Sequence, residues 1–145
     1  MKRFLIMATL AMALASCSEP ATPLAIDNAL TEAEIAAARL TPEVMWKMRR
    51  IGGAEVSADG TTVLYNVTDY SMSENRGVTR IYTLNMATGE SCELTDTSSN
   101  NTAARWGGDG YIWFLSNRSG SMQVWRMDSN GQNLKQVTAV EGGVE

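Results

Sequence analysis

The amino-acid sequence predicts an all-β fold, an incomplete β-propeller of two four-stranded blades preceded by short N-terminal helices. Three observations predict it. Two stretches of about 40 residues repeat the same order of strands and turns, which is the period of a propeller blade. Within each stretch, runs rich in Val, Thr, Tyr and Trp are separated by turns that contain glycine. At these turns glycine follows Asp, Thr or Asn, which is typical of tight hairpins between antiparallel strands.

The first sixteen residues have the plan of an export signal and are not expected to belong to the fold. Two basic residues precede an apolar run over residues 4–15, which is too short to span a bilayer core of about 30 Å. The run ends in LASC at residues 14–17, which resembles the lipobox of bacterial lipoproteins. The resemblance implies a lipoprotein signal peptide over residues 1–16 and lipid modification of Cys17. The protein would then be exported and anchored to a membrane, in the periplasm or at the outer membrane. The alternative is an ordinary signal peptide that is cleaved after a small residue, in which case Cys17 has no special role.

Charge and composition narrow the classes of function. The chain has 145 residues, 12 of them basic and 16 acidic, and a net charge of −4. Without Lys2 and Arg3, ten basic residues face sixteen acidic ones, a net charge of −6, so we expect no nucleic-acid partner. The sequence contains no histidine, which excludes a Ser-His-Asp or Cys-His catalytic system and any imidazole metal site within it. No metal and no cofactor are expected.

A tether with one possible helix is predicted over residues 17–40. Its first part contains two prolines and little periodicity, so it is expected to link the lipid to the domain. Thr31 and Glu34 then have the spacing of a capping box, and the segment 31–39 is rich in Ala and Glu, which favour a helix.

A short lead-in helix is predicted over residues 41–53. Thr41 can cap it, Pro42 suits the first helical position, and Gly52 and Gly53 are expected to end it. Its Val and Met side chains form an apolar stripe, which we expect to pack on the domain that follows. A helix that lies on a membrane or binds a partner is the alternative.

The strands of the two blades follow in the same order. Blade 1 spans residues 54–95, blade 2 spans residues 103–138, and residues 139–145 are a truncated link to a third blade. The turns at Asp59 and Asp109 correspond to each other. The predicted strands are 54–56, 62–67, 79–86 and 91–95 in blade 1, and 104–106, 111–115, 121–127 and 134–138 in blade 2.

The second repeat, residues 106–138, resembles the blade repeat of TolB-type propellers and of prolyl oligopeptidase-family propellers. The lead-in narrows the resemblance. LTPE at 40–43, RRI at 49–51 and VSADG at 56–60 are similar to the start of bacterial dipeptidyl- and acylaminoacyl-peptidases of that family. The resemblance covers residues 40–143, and it implies a β-propeller that caps a C-terminal α/β-hydrolase domain.

The resemblance implies a function in proteolysis that this chain does not perform by itself. Its blades would belong to the gating propeller of an exported serine peptidase, and short peptide substrates would enter through the complete propeller. The sequence holds no G-x-S-x-G nucleophile elbow, so no catalytic residue is carried over and the C-terminal catalytic domain is missing from it. The alternative function is that of a TolB-like propeller lipoprotein, a protein-binding module without a catalytic domain.

Several residues suggest other sites but are better explained by the fold. Asp59, Asp109 and Asn130 each precede a glycine, which is typical of hairpin turns. Cys92 is expected to be an unreactive strand residue, because nothing near it in sequence would lower the pKa of its thiol. A group of aromatic side chains in blade 2 is expected to lie in the core: Trp106, Tyr111, Trp113 and Trp125.

The best functional candidate within the blades is the predicted excursion from Asp69 to Gly77, because blade loops line the substrate cavity in the family that the sequence resembles. An ordinary long hairpin is the other interpretation, and the one we favour. Asp69 and Glu74 lack the alternate spacing of oxygen ligands that a calcium loop needs.

Overall fold

The computed structural model describes residues 22–144, so the predicted signal peptide and Cys17 lie outside the described residues. Eight strands form two antiparallel sheets of four, each in sequence order, and two short helices precede them. The fold class predicted from the sequence is therefore confirmed. The elements are α1 Glu32–Ala37, α2 Pro42–Lys47, β1 Arg50–Val56, β2 Thr62–Ser71, β3 Arg76–Asn85, β4 Ser91–Glu93, β5 Asn101–Trp106, β6 Ile112–Ser116, β7 Gln123–Met127 and β8 Lys135–Gln136.

The two helices begin where their caps predict. The Thr31 side chain accepts a hydrogen bond from the Glu34 backbone N–H, and the Glu34 carboxylate accepts one from the Thr31 N–H, which completes the capping box of α1. Thr41 caps α2 in the same way, with Pro42 in its first turn. A salt bridge of 2.8 Å from Lys47 to Glu34 joins the two helices.

The lead-in helix predicted over residues 41–53 is shorter than expected and ends at Lys47. Gly52 and Gly53 do not terminate it, because they belong to β1. The cause is pairing with β2: Arg50 lies opposite Thr68 and Ile51 opposite Val67, which holds this stretch extended. Arg50 is therefore the first residue of a strand.

Most of the predicted excursion from Asp69 to Gly77 is strand, so the paired strands extend further into it than the predicted bounds of 62–67 and 79–86. β2 and β3 stay paired without a break to Ser71 opposite Arg76, and the turn between them is confined to residues 72–75. The Thr68 and Thr79 hydroxyls lie 2.9 Å apart across this extension. Cross-strand pairs of this kind stabilise a ladder beyond its apolar part. The favoured interpretation of this stretch, an ordinary long hairpin, is confirmed.

The first strand of each blade carries an irregularity at a similar place. In β1 the pairing register shifts between Ile51 and Ala54, and in β5 it shifts between Thr102 and Arg105. Ala103, inside the second shift, has a φ of 52°. An extra residue on one strand bends it and increases the local twist, so both sheets are bent at their first strands.

The hydrophobic core lies between the two blades. Blade 1, the sheet of β1–β4, contributes one buried residue from each of its two middle strands, and blade 2, the sheet of β5–β8, contributes the facing set. Leu94, Trp106 and Trp125 pack against this cluster and are partly buried. The buried members are Leu64, Ile81, Ala104, Ile112, Phe114 and Met127.

The opposite side of blade 2, here called the outer face, carries the remaining aromatic residues. Trp113, Leu115 and Val124 alternate with the core residues and are half-buried. The Arg126 guanidinium lies 4.2 Å from the centre of the Tyr111 ring and 6.0 Å from that of Trp113. Tyr111 and Trp113 do not belong to the core between these two blades, because strand alternation places them on the side away from blade 1.

Candidate functional site

A cluster of charged residues occupies the side of blade 1 that is turned away from blade 2, here called the rear face. Asp69 on β2 is at its centre and only 1% exposed. Arg80 on β3 and Glu93 on β4 point to the same side as Asp69. Asp69 lies opposite Val78, and Arg80 and Tyr82 follow Val78 on the same face because side chains two apart on a strand share a face. Glu93 lies opposite Tyr82 and so shares that face. Arg49, just before β1, reaches the cluster from the lead-in.

Ion pairs and hydrogen bonds connect these side chains into one network. Arg49 donates from Nε to Asp69 Oδ1 at 3.0 Å, and Arg80 donates to the other oxygen of Asp69. A second nitrogen of Arg80 donates to Glu93 Oε2 at 2.7 Å. Tyr82 links Glu93 to Arg49, since its hydroxyl donates to the Glu93 carboxylate at 2.7 Å and accepts from the Arg49 guanidinium at 2.8 Å.

The N-terminal residues 23–28, here called the strap, lie across the rear face. The Leu24 N–H donates to the Thr97 carbonyl oxygen at 3.1 Å, and its side chain is buried. Asn28 donates from Nδ2 to Asp69 Oδ1 at 2.9 Å. A pocket of about 420 Å³ remains between the strap and the charged network, lined by Leu24, Ile26, Asn28, Arg49, Asp69, Arg80, Tyr82, Glu93 and Thr97.

The electrostatics of the pocket favour binding over proton transfer. Burial raises the pKa of the Tyr82 phenol to about 12, and its hydrogen bond to Glu93 acts in the same direction. The phenol is thus a neutral hydrogen-bond group at ordinary pH. Arg80 Nε and Asn28 Oδ1 are buried and have no hydrogen-bond partner among the described residues. The network can hold polar groups, and it contains no nucleophile paired with a base.

A second pocket, of about 260 Å³, opens between α2 and the β2–β3 hairpin. The Trp46 and Tyr70 rings meet edge to face with their centres 4.9 Å apart. The Arg50 guanidinium lies 4.8 Å from the Trp46 ring centre and 4.4 Å from that of Tyr70. Met72 in the hairpin turn completes the apolar wall. α2 thus contacts the domain through Trp46, whereas Met45 and Met48 of the predicted apolar stripe are exposed.

The other candidate residues remain apart from both pockets. Cys92 is a free, exposed thiol on β4. Asp59, Asp109 and Asn130 each accept a hydrogen bond from the backbone N–H two residues later, as turn residues do. Between residues 22 and 144, no group of three His, Cys, Asp or Glu side chains is placed to hold a metal ion. No helix of this stretch is long and apolar enough to cross a membrane.

Reasoning from the sequence missed the charged network. The sequence did contain an indication of it, because Arg80 and Tyr82 are two residues apart on β3 and therefore share a face. This places a charged side chain on a sheet face that a propeller blade would be expected to cover. A charged side chain at such a position needs a partner. Finding that partner required the register of β2 against β3 beyond residue 67, where the predicted strand ended.

Comparison with curated proteins finds similarity to two proteins named dipeptidyl-peptidase 5. The Porphyromonas endodontalis protein is 33% identical over 106 residues, 72% of this chain and 15% of that protein. The Porphyromonas gingivalis protein is 36% identical over 86 residues, 59% of this chain and 13% of that protein. This chain is thus homologous to part of these proteins and spans a small share of their length. No protein-family model matches the sequence.

Solved structures show the same architecture. A puromycin hydrolase structure superposes with a TM-score of 0.54 at 18% identity, covering 63% of this chain and 14% of that one. The S511A mutant of puromycin hydrolase, complexed with PGG, superposes with a TM-score of 0.53 over the same shares. At this level of identity the likeness establishes a propeller-like fold for the two sheets.

Proposed function

We propose that this chain is the N-terminal part of the gating propeller of an exported serine peptidase that cleaves short peptides. The observation that carries the proposal is the 106-residue similarity to dipeptidyl-peptidase 5, which falls on a chain folded as two consecutive blades. Catalysis would belong to a separate C-terminal α/β-hydrolase domain. This chain contains no histidine and no nucleophile elbow, so we expect no peptidase activity from it alone.

The outer face of blade 2 supports the proposal. Trp113, Leu115 and Val124 are half-buried there, and no sheet covers them within residues 22–144. A propeller covers such a face with its next blade, which buries apolar area and protects the strand edges. A third blade against this face would continue the ring through which peptides reach the catalytic domain.

Export and anchoring complete the proposal. The basic start, the apolar run and the LASC sequence at residues 14–17 support a lipoprotein signal peptide, with Cys17 carrying the lipid. The mature protein would then face the periplasm or sit at the outer membrane. Mass spectrometry of the mature N-terminus tests this part, because a lipid on Cys17 gives a defined mass increase. An unmodified Cys17 would contradict it.

Sequencing the reading frame downstream of the Glu145 codon in the source DNA tests the proposal that the chain belongs to a peptidase. We expect it to encode further blades, then G-x-S-x-G, then Asp and His in that order. The encoded protein should release a fluorophore from dipeptidyl substrates, and replacing the serine of that motif with alanine should abolish the release. A frame that encodes only blades would overturn the proposal in favour of a TolB-like binding propeller.

The TolB-like alternative rests on the resemblance of residues 106–138 to the blade repeat of TolB-type propellers. It predicts protein partners for the central opening of the ring and no hydrolysis of any peptide. The fluorogenic assay therefore separates the two functions directly.

A further inference from the structure

We propose that the rear face of blade 1 binds the last blade of the propeller, and that this blade shares the face with the strap. The inference rests on the proposed function, which makes this chain the start of a longer ring, and it adds where the ring closes and through which side chains. The part of the rear face beside the strap is here called the open region. Strand alternation and register assign to it Ile51, Ala54, Val56, Val63, Tyr65 and Leu84.

Each residue of the open region has a counterpart in blade 2, because the strand registers of the two blades correspond. Val63 lies opposite both Val56 and Leu84, and Ile112 is paired in the same way in blade 2. The irregularity in the first strand also falls at the same place in both blades. Taken in the order given above, the counterparts are Asn101, Ala104, Trp106, Ile112, Phe114 and Met127.

Blade 1 covers these counterparts in blade 2, whereas no sheet between residues 22 and 144 covers the open region. Asn101 is 0% exposed, and its counterpart Ile51 is 72% exposed. Ala104 is buried, and its counterpart Ala54 is exposed. The open region is thus the surface that blade 2 buries against blade 1, here without its neighbour. A blade is therefore the occupant that the structure itself shows for this kind of surface.

The kind of blade that fits follows from the contact between the two blades that are present. Blade 1 presents apolar side chains of its middle strands to blade 2, together with the Asn66 carboxamide. Asn66 bonds to the Asn101 carbonyl oxygen and to the Ala104 N–H at the irregularity in β5. The irregularity in β1 lies at the corresponding place, between Ile51 and Ala54. We therefore expect the last blade to place apolar side chains on the open region and an Asn or Gln, which can both donate and accept, at the irregularity in β1.

The strap occupies the other part of the rear face and adjoins the open region. Its Leu24 is buried, and its Asn28 bonds to Asp69. The pocket between the strap and the charged network is lined in part by Tyr82. The Tyr82 ring stacks on that of Tyr65 in the open region, with the ring centres 5.7 Å apart. A blade seated on the open region therefore covers this pocket and contacts the strap.

Thiol labelling of the complete protein tests this contact. The protein encoded by the full reading frame is expressed without residues 1–16, every native cysteine is replaced by serine, and Val56→Cys supplies the one thiol. We expect this thiol to react with a maleimide about ten-fold or more slowly than it does after unfolding in urea, because the last blade must detach before the thiol is reached. Ile51→Cys is a second variant on the same surface and should be protected to a similar degree.

The protein that keeps only its native Cys92 is the control. Cys92 is an exposed thiol on β4 and lies opposite Thr83, on the side of blade 1 where blade 2 is already present. It should react in the folded protein at close to its unfolded rate. Equal labelling of position 56 in the folded and the unfolded protein would overturn the proposal. Protection that is lost on dilution would also overturn it, since it would assign the surface to a second copy of the protein.

The share of the strap is tested with two variants of the same charge. Leu24→Asp should detach the strap and raise the labelling rate at position 56 several-fold, because the last blade loses part of its contact surface. Ala25→Asp changes an exposed neighbour and should leave the rate unchanged. Equal rates in the two variants would overturn the sharing of the face.

The labelling does not depend on catalysis, so this proposal and the proposed function fail separately. Slow labelling at position 56 in a protein without peptidase activity would support the docking and contradict the peptidase. Labelling at the unfolded rate in an active peptidase would do the reverse.

Discussion

The side chain of Asn66 on β2 is hydrogen-bonded to the backbone of Asn101 on β5 and thereby joins the two blades. Its Nδ2 donates to the Asn101 carbonyl oxygen at 3.0 Å, and its Oδ1 accepts from the Ala104 N–H at 3.4 Å. Asn66 is 7% exposed, so water does not replace these bonds readily. One carboxamide thus satisfies a donor and an acceptor beside the irregularity in β5.

Replacing this carboxamide should weaken the contact between the blades. We expect Asn66→Ala to lower the free energy of unfolding by about 2 to 3 kcal/mol, because two buried backbone groups lose their partners. Urea unfolding followed by tryptophan fluorescence measures the change. Asn130→Ala, at an exposed turn, is the matched control and should cost less than about 0.5 kcal/mol. Equal effects of the two variants would refute a special role for Asn66.

Removing the buried carboxylate of Asp69 should have a larger effect. Asp69→Ala leaves Arg80, which is 12% exposed, without its buried partner, and we expect a loss of about 3 to 5 kcal/mol. Asp69→Asn keeps the size and part of the hydrogen bonding, so its loss should be smaller. Glu74→Ala removes an exposed carboxylate from the hairpin turn and serves as the control. A cost for Asp69→Ala no greater than that of Glu74→Ala would show that the network does not stabilise the blade.

The raised pKa of the Tyr82 phenol leads us to expect a loss of stability at alkaline pH. Its pKa is raised in the folded protein to about 12 from an ordinary value of 10. Above pH 10 the unfolded chain therefore releases a proton that the folded chain keeps. The stabilisation is complete below pH 10 and is lost as the pH rises through 12. The difference in unfolding free energy between the wild type and Tyr82→Phe, measured from pH 8 to pH 12, should shrink over this window, and a constant difference would contradict the assignment.

Gly77 should be required for the second pocket. A Cβ at this position would lie 2.9 Å from Cε1 of Tyr70, which is too close, so Gly77→Ala must displace the ring that contacts Trp46 and Arg50. We expect a cost of about 1 to 3 kcal/mol in urea unfolding. Gly108→Ala, where a Cβ meets no atom within 4 Å, is the control. An equally small loss of stability in both variants would contradict the prediction, because it would mean that the Tyr70 ring moves aside without a measurable cost.

Local signals account for the parts of the fold that the sequence predicted correctly. The Thr31 and Thr41 caps and the turns at Asp59 and Asp109 depend on residues within a few positions of one another, so the sequence shows them directly. The repeat of these turns then indicated two sheets of four strands. The confirmed propeller-like fold follows from this periodicity.

The missed features depend on contacts between distant residues. Asp69 is a poor strand former by propensity, and only its ion pairs with Arg49 and Arg80 explain why it lies buried in an extended β2. Gly52 and Gly53 were expected to end a helix, but pairing of their neighbours with β2 overrides that local tendency. The strap adds a third distant partner to Asp69, in Asn28. No short-range sequence pattern predicts contacts between residues so far apart in the chain.

The bond between Asn66 and the backbone of blade 2 also makes the two repeats non-interchangeable. On blade 2 the second strand turns Trp113 and Leu115 toward the outer face, and neither side chain can both donate and accept as a carboxamide does. A copy of blade 2 grafted in place of blade 1 would leave the Asn101 carbonyl and the Ala104 N–H unpaired. The boundary between the two blades is thus specific to the order in which they occur in the chain.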